Sequence, residues 1–156
     1  MKRVLLIIVC VIAVISNVSA QLPKVYNEEI NPMTQIDQSL QKAKKAGHFV
    51  ICQVGGNWCP WCLKFADFIA KDADIKAVID ENFEYIHVNY PRRNAAEDIK
   101  NRLHNPGRFG FPVFVVLSPK GEVLHIQDSS FLEEGQNYNK DKVLRFLKNW
   151  TPEAVN

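Results

Sequence analysis

The 156-residue chain lacks any long run of charge of one sign. Its 19 lysines and arginines nearly balance 17 aspartates and glutamates, and the formal net charge is +2 at pH 7. Nucleic-acid binding requires a basic patch or stripe, so we expect no nucleic-acid partner. Seven glycines and eight prolines are too few for a low-complexity chain, and four cysteines are too few for a small disulfide-built scaffold. The composition therefore indicates one globular domain.

Long hydrophobic runs are also missing, apart from one near the N-terminus. The apolar run at residues 4–15 covers 12 residues, follows Lys2 and Arg3, and precedes a small-residue stretch that ends at Ala20. A membrane-spanning helix needs about 20 apolar residues, so this layout favours a secretory signal peptide over an anchor. We predict a signal peptide at residues 1–20, cleaved after Ala20. Export to the periplasm is the expected outcome, with secretion as the alternative.

The order of elements in the remaining chain predicts an α/β fold. An irregular lead-in at residues 21–35 precedes one domain at residues 36–156. We interpret Pro23 and Pro32 as residues that break regular secondary structure in the lead-in. Helical periodicity already starts at Thr34. Predicted helices cover residues 34–46, 59–71, 74–82, 95–104 and 139–150, and predicted strands cover residues 49–54, 83–88, 113–117 and 122–127. Alternating helices and strands with a terminal hairpin predict a central mixed sheet with helices on both faces.

The chemistry-bearing motif is the pair Cys59 and Cys62, separated by Pro60 and Trp61. The pair follows a buried strand and opens a helix, and Pro60 suits the first helical turn. The first cysteine then lies at a helix N-terminus, where unpaired N–H groups and the helix dipole favour a thiolate. We therefore predict that Cys59 is the nucleophile and that Cys62 is the resolving thiol of a disulfide exchange.

The cysteine pair has two other interpretations, a zinc site and a structural disulfide. A zinc site needs a second pair of ligands, and the four histidines are scattered singly. A purely structural disulfide across three residues constrains little of the unfolded chain. We therefore expect no metal and no cofactor.

Three segments of the chain resemble those of thioredoxin-fold proteins. The segment at residues 57–64 resembles their active-site segment, the segment at residues 110–113 resembles their cis-proline loop, and Lys120-Gly121 resembles a turn between the last two strands. The likeness covers roughly residues 36–150 and looks closest to exported bacterial thioredoxin-like proteins. It implies a thioredoxin fold and a cis peptide between Phe111 and Pro112 that faces the cysteines. It further implies a backbone edge there for pairing with a bound peptide.

Several residues around the pair are predicted to contact substrate or tune the cysteines. Trp58 and Trp61 are candidate aromatic anchors for a peptide substrate, together with Phe111 and Pro112. Trp61 brings no positive charge to stabilise the thiolate. Its presence therefore favours an intermediate or reducing reduction potential for the cysteine pair. For Trp58, partial packing on the fold is an equal alternative.

The sequence departs from the family pattern at Gln53, six residues before Cys59, where related reductases carry a buried carboxylate. An amide cannot take up a proton as a carboxylate does, so water or Lys64 would have to substitute in any proton relay. The alternative is a hydrogen-bonded core glutamine. The neighbouring Cys52 points to the opposite face of the strand, where a small buried residue is expected.

These observations support two classes of function. The first is an exported thiol–disulfide oxidoreductase that acts on protein or peptide disulfides as a monomer, preferentially as a reductase recharged by a membrane electron donor. Oxidase and isomerase directions use the same chemistry at other potentials. The second is a non-catalytic binding module that holds a partner protein or Cu(I) through the two thiolates.

Overall fold

A computed structural model describes residues 21–91 and 96–156. The predicted signal peptide and residue 95 of a predicted helix lie outside the described residues. The elements, in chain order, are α1 (Pro32–Ala46), β1 (Phe49–Gly55), α2 (Pro60–Lys71), α3 (Ala73–Asn82), β2 (Phe83–Asn89), α4 (Glu97–Arg102), β3 (Val113–Leu117), β4 (Val123–Asp128), β5 (Glu133–Glu134), β6 (Asn137–Tyr138), α5 (Lys140–Asn149) and α6 (Pro152–Val155). Single 3₁₀ turns at Pro106–Phe109 and Ser129–Leu132 flank β3 and β4.

The predicted mixed sheet is confirmed, with strand order β2-β1-β3-β4. Strand β1 is parallel to β2 and antiparallel to β3, which in turn pairs antiparallel with β4. All seven residues of β1 are buried, as a near-continuous apolar run predicts for a strand covered on both faces. The register places Gln53 between His87 of β2 and Phe114 of β3.

Helices cover both faces of the sheet because side chains alternate along each strand. On one face, Phe49 and Ile51 of β1 belong to a core cluster with apolar residues of α2, α3 and α5. On the other face, Val50, Cys52 and Val54 belong to a cluster with residues of α1 and α4. Among helices of the described chain, none is both long enough and apolar enough to cross a bilayer.

The interpretation of Pro32 as a breaker was wrong, because Pro32 is the first residue of α1. The side chain of Asn31 accepts hydrogen bonds from the backbone N–H groups of Met33 at 2.9 Å and Thr34 at 3.2 Å. Such a cap satisfies unpaired donors of the first turn, where proline's missing N–H has no cost. The helix therefore begins four residues before the predicted domain boundary, and the irregular lead-in is correspondingly shorter.

Phe114 of β3 is wholly buried and allows the packing of the hydrophobic core to be tested. Its ring lies 4.4 Å from that of Phe65 and 5.8 Å from that of Phe146, between centroids. Phe114→Ala should lower the free energy of unfolding by about 3–5 kcal/mol, because it opens a cavity between two helices. Urea unfolding measures this loss.

The matched control is Phe131→Ala, at a ring that is 72% exposed. Its effect should stay within about 0.5 kcal/mol. Equal losses for the two variants would contradict the assignment of Phe114 to the core.

Candidate active site

The site is built at the connection between the buried strand β1 and helix α2. Cys59 is the N-cap of α2, and its sulfur accepts the backbone N–H of Cys62 at 3.2 Å. The backbone N–H of Cys59 donates to the carbonyl of Gly56 at 3.0 Å, which closes the turn before the helix. Pro60 is the first helical residue, as predicted. The sulfur of Cys59 thus lies at the helix end where backbone N–H groups stabilise negative charge.

Cys59 and Cys62 form a disulfide, with a Cα–Cα distance of 5.2 Å. Cys59 is 6% exposed, whereas Cys62 is wholly buried. Cys59 is therefore the more exposed residue of the pair. The assignment of Cys59 as nucleophile and Cys62 as resolving thiol stays a prediction.

The peptide bond between Phe111 and Pro112 is cis, as the resemblance implied. The carbonyl oxygen of Phe111 lies 3.7 Å from the sulfur of Cys59, so this loop faces the cysteine pair. Pro112 is buried and leads directly into β3. The loop therefore holds a backbone edge beside the more accessible sulfur.

Aromatic side chains border the cysteines in two groups. In the first, the Phe111 ring contacts both Trp58, at a centroid distance of 5.3 Å, and Tyr90, at 4.9 Å. The indole N–H of Trp58 also donates to the carbonyl of Tyr90 at 3.2 Å. These contacts hold the Trp58 ring in place, and both tryptophans pack against the cluster that contains the cysteines.

The second group is formed by Trp61, Tyr138 and Lys64. The rings of Trp61 and Tyr138 meet edge to face at 5.4 Å. The ammonium of Lys64 lies 4.4 Å from the centroid of the Trp61 ring and donates to the carbonyl of Gln136 at 2.7 Å. This placement gives no support to Lys64 as a proton relay for Cys62.

Gln53 is a wholly buried, fully hydrogen-bonded core residue. Its amide nitrogen donates to the Tyr26 hydroxyl at 2.7 Å and to the carbonyl of Cys62 at 3.0 Å. Its amide oxygen accepts the hydroxyl of Tyr85 at 2.7 Å. Both amide hydrogens are therefore committed, and Gln53 joins β1 and β2 to the first turn of α2 through a buried network.

The polar side chains around Gln53 are neutral. The ring of His87 lies 5.3 Å from that of Tyr26 and 5.6 Å from that of Tyr85. Burial lowers the pKa of His87 to about 4, so the imidazole is uncharged at neutral pH. Burial also raises the pKa of Tyr26 well above its usual range, partly offset by the hydrogen bond from Gln53, and the phenol stays protonated.

Sequence reasoning missed Tyr26 and Asn57, which tie the lead-in to the site. The amide oxygen of Asn57 accepts the backbone N–H groups of Val25 and Tyr26, both at 3.1 Å. Its amide nitrogen donates to the carbonyl of Tyr26 at 2.8 Å and to a carboxylate oxygen of Glu28 at 3.1 Å. Tyr26 is only 4% exposed as a result. The available signal was Tyr26 itself, the single aromatic residue between residues 21 and 34.

Cys52 lies on the opposite face of β1 from Gln53, as predicted. It is a free thiol that is wholly buried in the cluster beneath α1 and α4. Burial raises its pKa to about 12. It is a small core residue, remote in position from the disulfide on the other face.

The fold and the cysteine geometry agree with the comparisons to known proteins. The model of a thioredoxin-like family matches residues 31–119, more than half of the chain. The chain therefore belongs to the thioredoxin-like family, as its motifs predicted. The thioredoxin fold is thereby confirmed.

The chain is also similar to one curated relative and to two solved structures. It is 25% identical over 87 residues to the disulfide bond reductase DsbH of Chlamydia pneumoniae, a match that covers 51% of this chain and 52% of that protein. The chain thus spans about half the length of this curated relative. It is similar to a disulphide isomerase from Xylella fastidiosa Temecula1, with a TM-score of 0.71 and 20% identity over 82% of this chain and 97% of that one. A thioredoxin from Thermus thermophilus gives a TM-score of 0.52 and 21% identity over 72% and 80% of the two chains.

Asn57→Ala should loosen the lead-in without disturbing the sheet. The substitution removes four hydrogen bonds to residues 25–28. Each such bond contributes about 1 kcal/mol, so amide exchange at Val25 and Tyr26 should accelerate at least about tenfold. Hydrogen–deuterium exchange measured by mass spectrometry or NMR reports this change.

The control is Asn27→Ala, which removes one exposed bond to the backbone N–H of Glu29 in the same segment. It should leave the exchange of Val25 and Tyr26 amides unchanged. Unaltered protection in Asn57→Ala would show that Asn57 does not anchor the lead-in.

Cys52 should resist alkylation in the folded protein. In a Cys59→Ser/Cys62→Ser variant at pH 8, iodoacetamide should leave Cys52 unmodified, because the thiol is inaccessible and its pKa of about 12 keeps it protonated. In urea the exposed thiol regains a pKa of about 8.5 and should react readily. Peptide mass mapping distinguishes the two cases, and equal labelling with and without urea would refute the buried assignment.

Proposed function

We propose that this protein is a thiol–disulfide oxidoreductase that reduces disulfides of protein or peptide substrates in an exported compartment. The observation that carries the proposal is the placement of Cys59. Its sulfur caps α2, accepts the N–H of Cys62 at 3.2 Å and is the more exposed member of the disulfide. A helix N-terminus of this kind favours the thiolate, which is the attacking form of cysteine.

The reaction proceeds in two exchange steps. In the reduced protein, the Cys59 thiolate attacks one sulfur of the substrate disulfide, forms a mixed disulfide and releases the other substrate sulfur as a thiolate. The Cys62 sulfur then attacks the sulfur of Cys59, which closes the intramolecular disulfide and releases the second substrate thiolate. Two electrons pass to the substrate. One released thiolate takes up the proton that the attacking Cys62 thiol loses, and the other takes up a proton from solvent.

The substrate chain binds along the edge formed by Phe111 and Pro112. The Phe111 carbonyl lies 3.7 Å from the Cys59 sulfur. This distance supports pairing with an extended peptide in the manner of an added β-strand. Trp58 and Trp61 supply large, pre-positioned aromatic surfaces on which side chains of that peptide rest.

The reductase direction is supported by the chemistry of the motif and by the relative. The dipeptide between the cysteines is Pro60-Trp61, which adds no positive charge to stabilise the thiolate form. The curated relative with 25% identity is a disulfide bond reductase. A reductase in an exported compartment must be recharged, so a membrane electron donor is its expected partner. The leader-like residues 1–20 support export.

Substitution of the two cysteines tests the proposal, with a peptide disulfide as substrate and dithiothreitol as reductant. Cys59→Ser should abolish catalysed exchange, because the attacking sulfur is lost. Cys62→Ser should retain the first step and accumulate a mixed disulfide, visible as a mass adduct that reductant removes.

The matched control is Cys52→Ala, which removes the third thiol on the opposite face of the sheet. It should keep the wild-type rate within about twofold, since the buried thiol takes no part in exchange. Turnover that survives Cys59→Ser would contradict the proposal. Tight Cu(I) binding without exchange by the wild-type protein would instead support the binding-module hypothesis.

A further inference from the structure

In the second exchange step the Cys62 sulfur needs a hydrogen-bond donor, and the described contacts of Gln53 do not supply one. Cys62 is wholly buried, yet its sulfur must develop negative charge as it attacks the mixed disulfide. A buried charge without a hydrogen-bond donor is costly. Gln53 occupies the position of the usual carboxylate, but its two amide hydrogens are spent on Tyr26 and on the Cys62 carbonyl.

The Tyr26 hydroxyl and the Cys62 sulfur both lie next to Gly55. Gly55 locates both groups, because a methyl group added there would overlap the Cys62 sulfur and come within 2.8 Å of the Tyr26 hydroxyl oxygen. The hydroxyl and the sulfur therefore flank the same side of Gly55. Tyr26, Cys59 and Cys62 also belong to one buried cluster.

The Tyr26 hydroxyl has a hydrogen that it can donate. The Tyr26 oxygen accepts a hydrogen bond from Gln53 at 2.7 Å, which leaves the hydroxyl hydrogen to be donated. Burial keeps the phenol protonated, because its pKa is raised well above the usual range. Tyr26 can therefore stabilise a thiolate as a donor, although it cannot act as a base.

Hydrogen bonds hold both the backbone and the side-chain hydroxyl of Tyr26. Asn57 holds its backbone N–H and carbonyl at 3.1 and 2.8 Å, and Gln53 holds its hydroxyl. Asn57 directly precedes the Trp58–Cys62 motif, so the same loop positions the nucleophile and the segment that carries Tyr26. Such double anchoring keeps a hydroxyl oriented before the reaction begins, which makes electrostatic stabilisation effective.

We propose that Tyr26 donates a hydrogen bond to the Cys62 sulfur as this sulfur becomes the attacking thiolate in the resolving step. The inference rests on the proposed function. In that step the bond between the Cys62 and Cys59 sulfurs forms, the bond between the Cys59 and substrate sulfurs breaks, and the substrate leaves with the electron pair. The Cys62 proton passes to the departing substrate thiolate or to solvent, and Tyr26 keeps its own.

The test is Tyr26→Phe, assayed by rapid acid quench with a peptide disulfide. Formation of the mixed disulfide by Cys59 should keep its wild-type rate within about twofold. Its resolution by Cys62 should slow by about 10- to 100-fold, the effect of losing one hydrogen bond to a charged group. The mixed disulfide should therefore accumulate transiently, and a general loss of structure would not produce this division between steps.

Tyr85→Phe is the matched control, since it removes the other tyrosine bond to Gln53 at 2.7 Å and leaves Tyr26 in place. It should resolve the mixed disulfide at close to the wild-type rate. Equal slowing by Tyr85→Phe would overturn the specific role of Tyr26, and so would wild-type resolution by Tyr26→Phe. If Tyr26→Phe does not fold, Asn57→Ala keeps the hydroxyl but frees its segment and should slow the same step, and normal resolution by that variant would overturn the inference.

The two proposals fail in different ways. A wild-type protein that forms no mixed disulfide would overturn the proposed function and this inference together. A normal first step followed by resolution that does not depend on Tyr26 would overturn this inference alone.

Discussion

The hydrogen bond from the Cys62 N–H to the Cys59 sulfur is the interaction on which the site depends. It makes a cysteine the N-cap of α2, so one atom serves both the helix and the chemistry. The strand before it, β1, is buried on every residue and fixed between β2 and β3. That rigidity matters because the cap forms only if β1 fixes the position of Gly55 and of the following turn relative to the start of α2. The close approach of Gly55 to the Cys62 sulfur and Tyr26 leaves no room for a side chain there.

The polar environment beneath this cap consists of neutral groups. Gln53, Tyr26 and Tyr85 form a hydrogen-bonded chain, and His87 lies against both tyrosines with its pKa lowered to about 4 by burial. A neutral network of this type orients its members without the cost of an unpaired buried charge. It therefore fits a site whose second sulfur has to change its charge in the interior, provided that one member can donate to it.

The parts of the fold and site that could be predicted were those encoded by local sequence. The apolar run of β1 and the paired cysteines at a strand-to-helix junction each carry their signal within a few residues, and the structure agrees with both. The cis peptide before Pro112 was implied by the family resemblance, and the structure agrees with it as well. Pro32 was misread because the same residue that interrupts a helix also suits its first position, and only the capping side chain of Asn31 decides between the two. The short pair of strands β5 and β6 carries too few residues to show a pattern.

The role of the lead-in could not be predicted, since it depends on contacts between distant parts of the chain. Asn57 bonds a backbone segment about thirty positions earlier, and Gln53 reaches Tyr26 across 27 residues and Tyr85 across 32. Periodicity describes which face of an element is buried but says nothing about such partners. As a result, the sequence indicated that Gln53 replaces a carboxylate and could be a hydrogen-bonded core residue, and the structure confirms the latter. Its partners Tyr26 and Tyr85 could not be predicted.

The central claim is that Cys59 and Cys62 form a reversible, reducing dithiol–disulfide couple, and its reduction potential tests this most directly. Equilibration of the protein with defined thiol–disulfide buffers should give a two-electron titration with a reduction potential of about −270 mV or lower, the range of a thioredoxin-like reductant. A reduction potential of about −120 mV would contradict the reductase direction, since such a potential is typical of a strong oxidant. Failure of the pair to titrate as a dithiol would contradict the exchange chemistry itself.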